Sequence, residues 1–198
     1  MSDIEIVNRA LILLGAEPIG SLDDHNKTAR VMSGLLPQTK RTVLNEFPFT
    51  FALRIEPLTR ASGSISGYSY VFSKPSNALN VSRVYGSDTF KGTSEFRVVG
   101  NLIGANISSG SVEYTAYVDD VSSWPQHIQE CLATRLASDA ATSLTGQPQL
   151  AVSLLQKYMA LANHAAQTSV NEENISPVRS SDYVSGRMPV SSSSSGNN

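Results

Sequence analysis

Apolar residues recur at helical spacing at the start of the chain. Ser2 and Glu5 have the residue types and spacing of a capping box, which marks a helix start. Gly15 is placed to end the helix that follows. The predicted helix therefore runs from about residue 2 to residue 15. Its apolar stripe consists of Ile4, Val7, Leu11 and Leu14.

A second helical pattern follows after a short loop. It predicts a helix from about residue 26 to residue 45, with Asp23 or Asp24 as the cap. Pro37 lies inside this stretch, where a proline removes a backbone hydrogen bond. The sequence leaves two alternatives open: Pro37 kinks one helix, or it starts a new one.

The middle of the chain has the period of two that is typical of β-strands. Alternation of apolar with polar or small residues predicts strands at 47–55, 68–72, 79–85 and 111–118. The segment 96–103 predicts two further strands joined by a tight turn at Gly100-Asn101. Because no helical pattern separates these strands, they predict an antiparallel meander or a small barrel.

Helical spacing returns near the end of the chain, at 125–144 and 148–170. The short link between these helices favours an antiparallel hairpin. The predicted fold class is α+β: a bundle of the N- and C-terminal helices, an inserted antiparallel β unit, and an extended C-terminal arm. The predicted divisions are N-terminal helices, β unit, closing helical hairpin and arm, at 1–46, 47–120, 121–173 and 174–198.

Composition narrows the functional classes. The 198 residues carry a net charge of −2, whereas a protein that coats nucleic acid needs a basic surplus. No apolar run approaches the roughly 20 residues of a membrane span, and the start lacks the features of a signal peptide. One cysteine, Cys131, rules out an internal disulfide and a multi-cysteine metal site. We therefore expect a soluble chain made in a reducing compartment, with no membrane partner.

Candidate catalytic residues are few. Asp119 and Asp120 form a close acid pair, and Glu113 is a third modest candidate. The three histidines (His25, His127 and His164) lack a metal-ligand spacing, and no nucleotide-binding motif is present. We therefore predict no catalytic set, no metal site and no cofactor.

The last two helices carry unusually little charge, which suggests burial on more than one side. Neighbouring subunits are one source of that burial, and the alternative is a merely polar, uncharged surface. On the first reading, the predicted subunit-interface residues are Ala133, Ala137, Ala141, Leu155 and Ala162.

Several stretches, taken in order, resemble the tail tubular protein A family of head-to-tail adaptors from short-tailed bacteriophages. They are the opening 10–24, the helix with Thr28-Ala29-Arg30, the aromatic cluster 46–52, the segment 68–84, and the pairs Trp124-Pro125 and Gln147-Pro148. The likeness covers about residues 3 to 172. The family usually has a tryptophan in the aromatic cluster, which this chain lacks.

The resemblance implies a non-enzymatic structural protein of the virion neck, made in the cytoplasm of a host bacterium. Family members form a dodecameric ring between the portal protein and the tail nozzle protein, and DNA passes through the lumen without sequence-specific binding. The C-terminal arm typically engages the portal. In this chain the bulky or charged arm residues are Tyr183, Arg187 and Met188, which are therefore the predicted anchors.

Two rival functions stay open at this point. A phage-borne cell-wall hydrolase would use an acid pair drawn from Asp119, Asp120 and Glu113. A single-stranded nucleic-acid binder would stack bases on aromatic residues of the strand at 68–72.

Overall fold

The α+β class is confirmed in the computed structural model, which describes residues 1–47, 49–87 and 94–173, with side chains described as far as residue 167. The helices are α1 (Asp3–Leu13), α2 (Lys27–Glu46), α3 (Gln126–Thr145) and α4 (Pro148–Glu173). The strands are β1 (Leu53–Pro57), β2 (Tyr70–Ser73), β3 (Ala78–Gly86), β4 (Phe96–Val99), β5 (Leu102–Ala105) and β6 (Gly110–Ala116). Two single turns of 3₁₀ helix, Thr50–Ala52 and Val121–Ser123, flank the strands on either side.

The four helices form one bundle with α3 at its centre. Helix α3 packs against α1, α2 and α4, so helices from both ends of the chain share one hydrophobic core. Gly146 ends α3 in a left-handed conformation, with φ of 69°, and α4 returns antiparallel after Gln147. The β unit is therefore an insertion between the two halves of a helical bundle.

Local sequence chemistry explains the two N-terminal helices. The Ser2 N–H donates to Glu5 Oε2 over 2.6 Å at the start of α1. The cap of α2 is Asn26, whose Oδ1 accepts from the Ala29 N–H over 2.7 Å. The prediction of Asp23 or Asp24 as cap was wrong, because Asp24 instead accepts N–H groups of the preceding turn. Helix α2 continues through Pro37, so this proline does not start a new helix.

The aromatic segment before β1 is not a strand until Leu53. Phe49 and Ala52 are fully buried in the helical core, and Phe51 lies with its ring centroid 5.5 Å from that of Trp124. Alternating aromatic residues predicted a strand from residue 47. Apolar residues occur here for another reason: they fill the base of the helical bundle, where the chain turns through a 3₁₀ helix.

The six strands form two three-stranded antiparallel sheets, in the orders β1-β6-β3 and β2-β5-β4. Among the described strands, only β4 and β5 pair as a sequential hairpin, with Gly100 at φ of 58° in the predicted turn. The other pairs join strands that are distant in sequence. A second, smaller core lies between the sheets and includes Phe72, Ile103 and Tyr114.

Candidate functional site

Helix α3 is buried by its own chain. Ala133, Ala137 and Ala141 are fully buried in the core of the bundle, as is Ala162 on α4. The prediction that these four alanines lie at a subunit interface was therefore wrong, because α1, α2 and α4 already cover the surfaces that a neighbour would need. Of the predicted interface residues, Leu155 alone is exposed.

Helix α4 presents an apolar stripe to solvent on its outer side. Val152 is 57% exposed, Leu155 is 36% exposed and Met159 is 44% exposed. Their spacing of three and four residues places them on one face of the helix. Among the side chains described on α4, Lys157 is the one Lys, Arg, Asp or Glu. We call Val152, Leu155 and Met159 the outer stripe.

The inner side of α4 is fixed to the bundle. Tyr158 is fully buried, and its hydroxyl donates to Glu46 Oε2 over 2.6 Å. Arg135 on α3 donates to both oxygens of the same carboxylate over 3.0 and 3.2 Å. Burial raises the pKa of Tyr158, and its hydrogen bond to Glu46 raises it further. The outer stripe is therefore carried by a helix whose rotation about its own axis is fixed.

The predicted acid pair is used to build structure. Asp119 Oδ1 accepts from Lys40 Nζ over 3.1 Å and from the Tyr117 hydroxyl over 3.0 Å. Asp120 accepts from the backbone N–H and the hydroxyl of Ser122, each over 2.9 Å, and so caps a 3₁₀ turn. These hydrogen bonds lower the pKa of both carboxyls. A general acid needs a raised pKa, so this pair is poorly suited to that role.

Glu113 lies away from the acid pair, in the middle of β6. It accepts a 2.6 Å hydrogen bond from the Tyr85 hydroxyl and pairs with Arg83 at 3.7 Å. A cleft of about 600 Å³ lies beside β3 and β4, and the described residues of its lining include one carboxylate, that of Glu95. The structure therefore does not bring the predicted acids together in a cleft.

The histidines lie on separate elements and the cysteine is inaccessible. His25 is in the loop before α2, His127 is in the first turn of α3 and His164 is on α4. Burial raises the pKa of the Cys131 thiol to about 11, which keeps it protonated at neutral pH. Among the described residues, no three or more His, Cys, Asp or Glu side chains are grouped to hold a metal ion.

The aromatic residues of β2 do not form an open stacking surface. Phe72 is fully buried, and the Arg60 guanidinium lies 4.0 Å from the centroid of the Tyr70 ring. Tyr68 precedes the strand and lines the cleft described above. Bases stack on exposed rings, so this arrangement does not favour the single-strand binder.

Lys40 is a structural residue that the sequence pattern did not reveal. Its side chain is 4% exposed, yet its ammonium group donates to Asp3 Oδ2, the Asp119 carbonyl and Asp119 Oδ1 over 2.8 to 3.1 Å. Burial by itself lowers the pKa of Lys40, but the two carboxylates outweigh it and the net shift is upward. The contact ties α1 and α2 to the chain that leaves the β unit. We call it the Lys40 clasp.

The predicted arm anchors Tyr183, Arg187 and Met188 lie outside the described residues. Within the part of the chain that is described, none of the helices has both the length and the hydropathy to span a bilayer. No protein-family model matches the sequence, and the comparison with curated proteins found no similar chain.

Proposed function

We propose that the chain is a structural head-to-tail adaptor of a bacteriophage, which forms a ring between the portal protein and the tail nozzle protein. DNA passes through this ring, and the protein works in the virion neck. The observation that carries the proposal is the outer stripe of α4, an exposed apolar surface on a fixed helix that bears little charge. The ordered resemblance to the adaptor family supplies the identity of the assembly.

The outer stripe is suited to contact between copies. Apolar side chains contribute roughly 25 cal/mol per Å² when a neighbour covers them. A contact between two different faces of the same chain generates a closed ring when its rotation closes. The dodecamer is part of the proposal and comes from the resemblance. In it, the outer stripe, which contains the predicted interface residue Leu155, supplies the lateral contact.

The arm at 174–198 is the proposed portal-docking segment, with Tyr183, Arg187 and Met188 as anchors. An arm that orders on its partner couples ring assembly to portal binding, because ordering costs free energy that the partner contacts must offset. We therefore propose that the free chain is monomeric and that the ring forms on the portal.

Two measurements test this function. Electron microscopy of particles that contain the chain should show it in a ring at the neck, below the portal. Mass measurement of the purified chain should give a monomer alone and a ring once the portal protein is added. Particles whose necks lack the chain would overturn the function. Rings that form from the free chain alone would overturn the dependence on the portal.

The same preparation separates the rival functions. A hydrolase would clear peptidoglycan and lose that activity in Asp120→Asn, whereas an adaptor clears none. A single-strand binder would retain DNA on the isolated chain in a salt-dependent manner. The structural roles of Asp119 and Asp120 and the burial of Phe72 favour the adaptor over both alternatives.

A further inference from the structure

Two strands leave an unpaired edge that also exposes apolar side chains. Among the described residues, β4 pairs with β5 alone, and β1 pairs with β6 alone. Successive residues of a strand point to opposite faces of its sheet. Because Val98 is 39% exposed and Val99 is 47% exposed, β4 exposes an apolar side chain on each face. On β1, Ile55 is 57% exposed. Exposed edges of this kind are templates for pairing with another chain.

The register fixes which backbone groups of β4 face outward. The Lys74 N–H donates to the Asn101 carbonyl, so Asn101 and Ile103 direct their backbone groups toward β2. Leu102 and Gly104 therefore face β4, where they oppose Val99 and Arg97. Phe96 and Val98 are left with their N–H and C=O groups on the outer edge.

The register also fixes which backbone groups of β1 face outward. The Leu58 N–H donates to the Gly110 carbonyl, so Leu58, Glu56 and Arg54 face β6. Leu53, Ile55 and Pro57 therefore face outward. Leu53 is already engaged, because its N–H donates to the Thr50 carbonyl and its C=O accepts from Arg54. The outer edge of β1 thus offers both backbone groups of Ile55 and the carbonyl of Pro57.

We propose that β4 of one copy adds antiparallel to β1 of a second copy, with Val98 opposite Ile55 of the partner subunit. In this register Val98 and Ile55 of the partner subunit exchange two backbone hydrogen bonds. The Phe96 N–H donates a third to the carbonyl of Pro57 of the partner subunit. Pro57 has no N–H, so the register makes three backbone hydrogen bonds and leaves the Phe96 carbonyl without a partner on the added strand.

Charge favours this pairing over the pairing of two β4 strands. The proposed register sets Arg97 opposite Glu56 of the partner subunit, and both residues are exposed. Two β4 strands that pair through Phe96 and Val98 would instead set Arg97 opposite Arg97 of the partner subunit. Two β1 strands have matched charges, but they make two backbone hydrogen bonds and leave Val98 and Val99 uncovered.

The contact joins two different edges of the same chain, so it can propagate around a ring. It deepens the proposed adaptor function and rests on it, because it needs a second copy as the occupant. It also places the inserted β unit, and not only the helices, at the boundary between subunits.

Disulfide trapping tests the register directly. In the double variant Val98→Cys with Ile55→Cys, the two Cα atoms would lie about 5.5 Å apart, within the range of a disulfide. Under oxidation we expect a ladder of dimers, trimers and larger species in non-reducing gels of the full chain, both in assembled particles and after addition of the portal protein, whereas the free chain should stay monomeric. Each single variant should give no ladder. Cys131 is buried and does not compete.

The single variants also detect the competing pairings. Dimers from Val98→Cys alone would show that two β4 strands pair, and dimers from Ile55→Cys alone would show that two β1 strands pair. Either result overturns the proposed contact. Failure of the double variant to cross-link in particles that contain the ring also overturns it.

A charge exchange gives an independent readout. Arg97→Glu should raise the concentration for assembly by on the order of tenfold, because it replaces an attractive cross-strand pair with a repulsive one. Adding Glu56→Arg should restore assembly, and Arg30→Glu on an exposed turn of α2 is the matched control. Glu56 also accepts from the Tyr114 hydroxyl, so circular dichroism must show that each variant is folded.

The two proposals fail in different ways. Particles that contain the ring, but show neither the ladder nor an effect of Arg97→Glu, overturn the strand contact and leave the adaptor function standing. Particles without the chain at the neck overturn the adaptor function, whatever the cross-linking gives.

Discussion

The Lys40 clasp shows how one side chain holds two parts of the molecule together. Lys40 has a buried apolar stem and an ammonium group with three oxygen acceptors. Its two carboxylate partners keep substantial exposure, at 41% for Asp3 and 78% for Asp119. They can return to water if the lysine is removed, so the loss should be smaller than for a fully buried ion pair.

Replacement of Lys40 by methionine should destabilise the protein by about 1.5 to 3 kcal/mol, the range for hydrogen bonds that involve charged groups. Methionine retains most of the apolar stem, so the variant isolates the polar contacts. Urea unfolding measures the difference. Arg9→Ala is the control, because its exposed pair with Glu130 should contribute less than about 1 kcal/mol. Equal losses in the two variants would show that the clasp is no stronger than a surface pair.

The clasp also predicts a pH dependence at the acid end. Lys40 holds the pKa of Asp119 below its ordinary value of 3.8. A lowered pKa in the folded state means that the stabilisation is complete above 3.8 and is lost as the pH falls through the folded value. The raised pKa of Lys40 predicts a second pH dependence, at alkaline pH. The stabilisation that the charged lysine provides is complete below pH 10.5 and is lost as the pH rises through the raised pKa.

The stability difference between the wild-type chain and Lys40→Met should therefore be constant between roughly pH 5 and pH 8 and should narrow below 3.8. Urea midpoints across that range provide the measurement. A difference that changes instead near neutral pH would assign the effect to a histidine and contradict the role of Asp119.

At the scale of elements, two glycines with open space around them should respond in opposite ways to alanine. A Cβ on Gly34 in α2 or on Gly146 after α3 would meet no atom within 4 Å. Gly34→Ala should stabilise α2 by up to about 1 kcal/mol, because alanine is the better helix former. Gly146→Ala should cost about 1 to 2 kcal/mol, because φ is 69° there. Thermal unfolding measures both, and shifts of the same sign would contradict the assigned helix end.

The apolar pattern of the sequence was sufficient to predict most of the helices and strands. The helices and most strands were predicted because their apolar residues recur along the sequence with the period of a helix or a strand. The segment 49–52 was mispredicted because its aromatic residues alternate for another reason, the filling of the base of the bundle. Lys40 was missed because a buried ammonium group depends on acceptors 37 and 79 residues away along the chain.

The low charge of the last two helices suggested burial on more than one side, which holds for α3 but not for α4, whose outer side is exposed. Low charge also could not identify what covers α3. Ala133 and Ala137 would have the same neighbours in sequence whether a second subunit or the chain itself packed against them. The structure assigns the cover to the chain's own helices. The exposed fraction of each side chain in the structure was needed to distinguish the outer stripe of α4 from the inner face of the same helix.

For the whole molecule, the helical bundle and the β unit carry different parts of the proposed assembly. The bundle fixes the outer stripe on α4, and the β unit holds the free edges of β1 and β4. The Lys40 clasp joins the two units where the chain returns from β6 to α3. A ring subunit needs this fixed geometry, because each contact must recur at the same angle around the ring.

Leu155→Asp tests the outer stripe at the scale of the assembled protein. Leu155 is 36% exposed in the free chain, so the variant should still fold, with a loss of roughly 1 to 2 kcal/mol of stability. In a ring the new carboxylate would be buried without a partner, which should weaken assembly by roughly tenfold or more. Gln156→Asp adds the same charge to the neighbouring exposed position and should have a much smaller effect. Analytical ultracentrifugation with the portal protein measures assembly. Equal assembly of Leu155→Asp and the wild type would show that another surface makes the lateral contact.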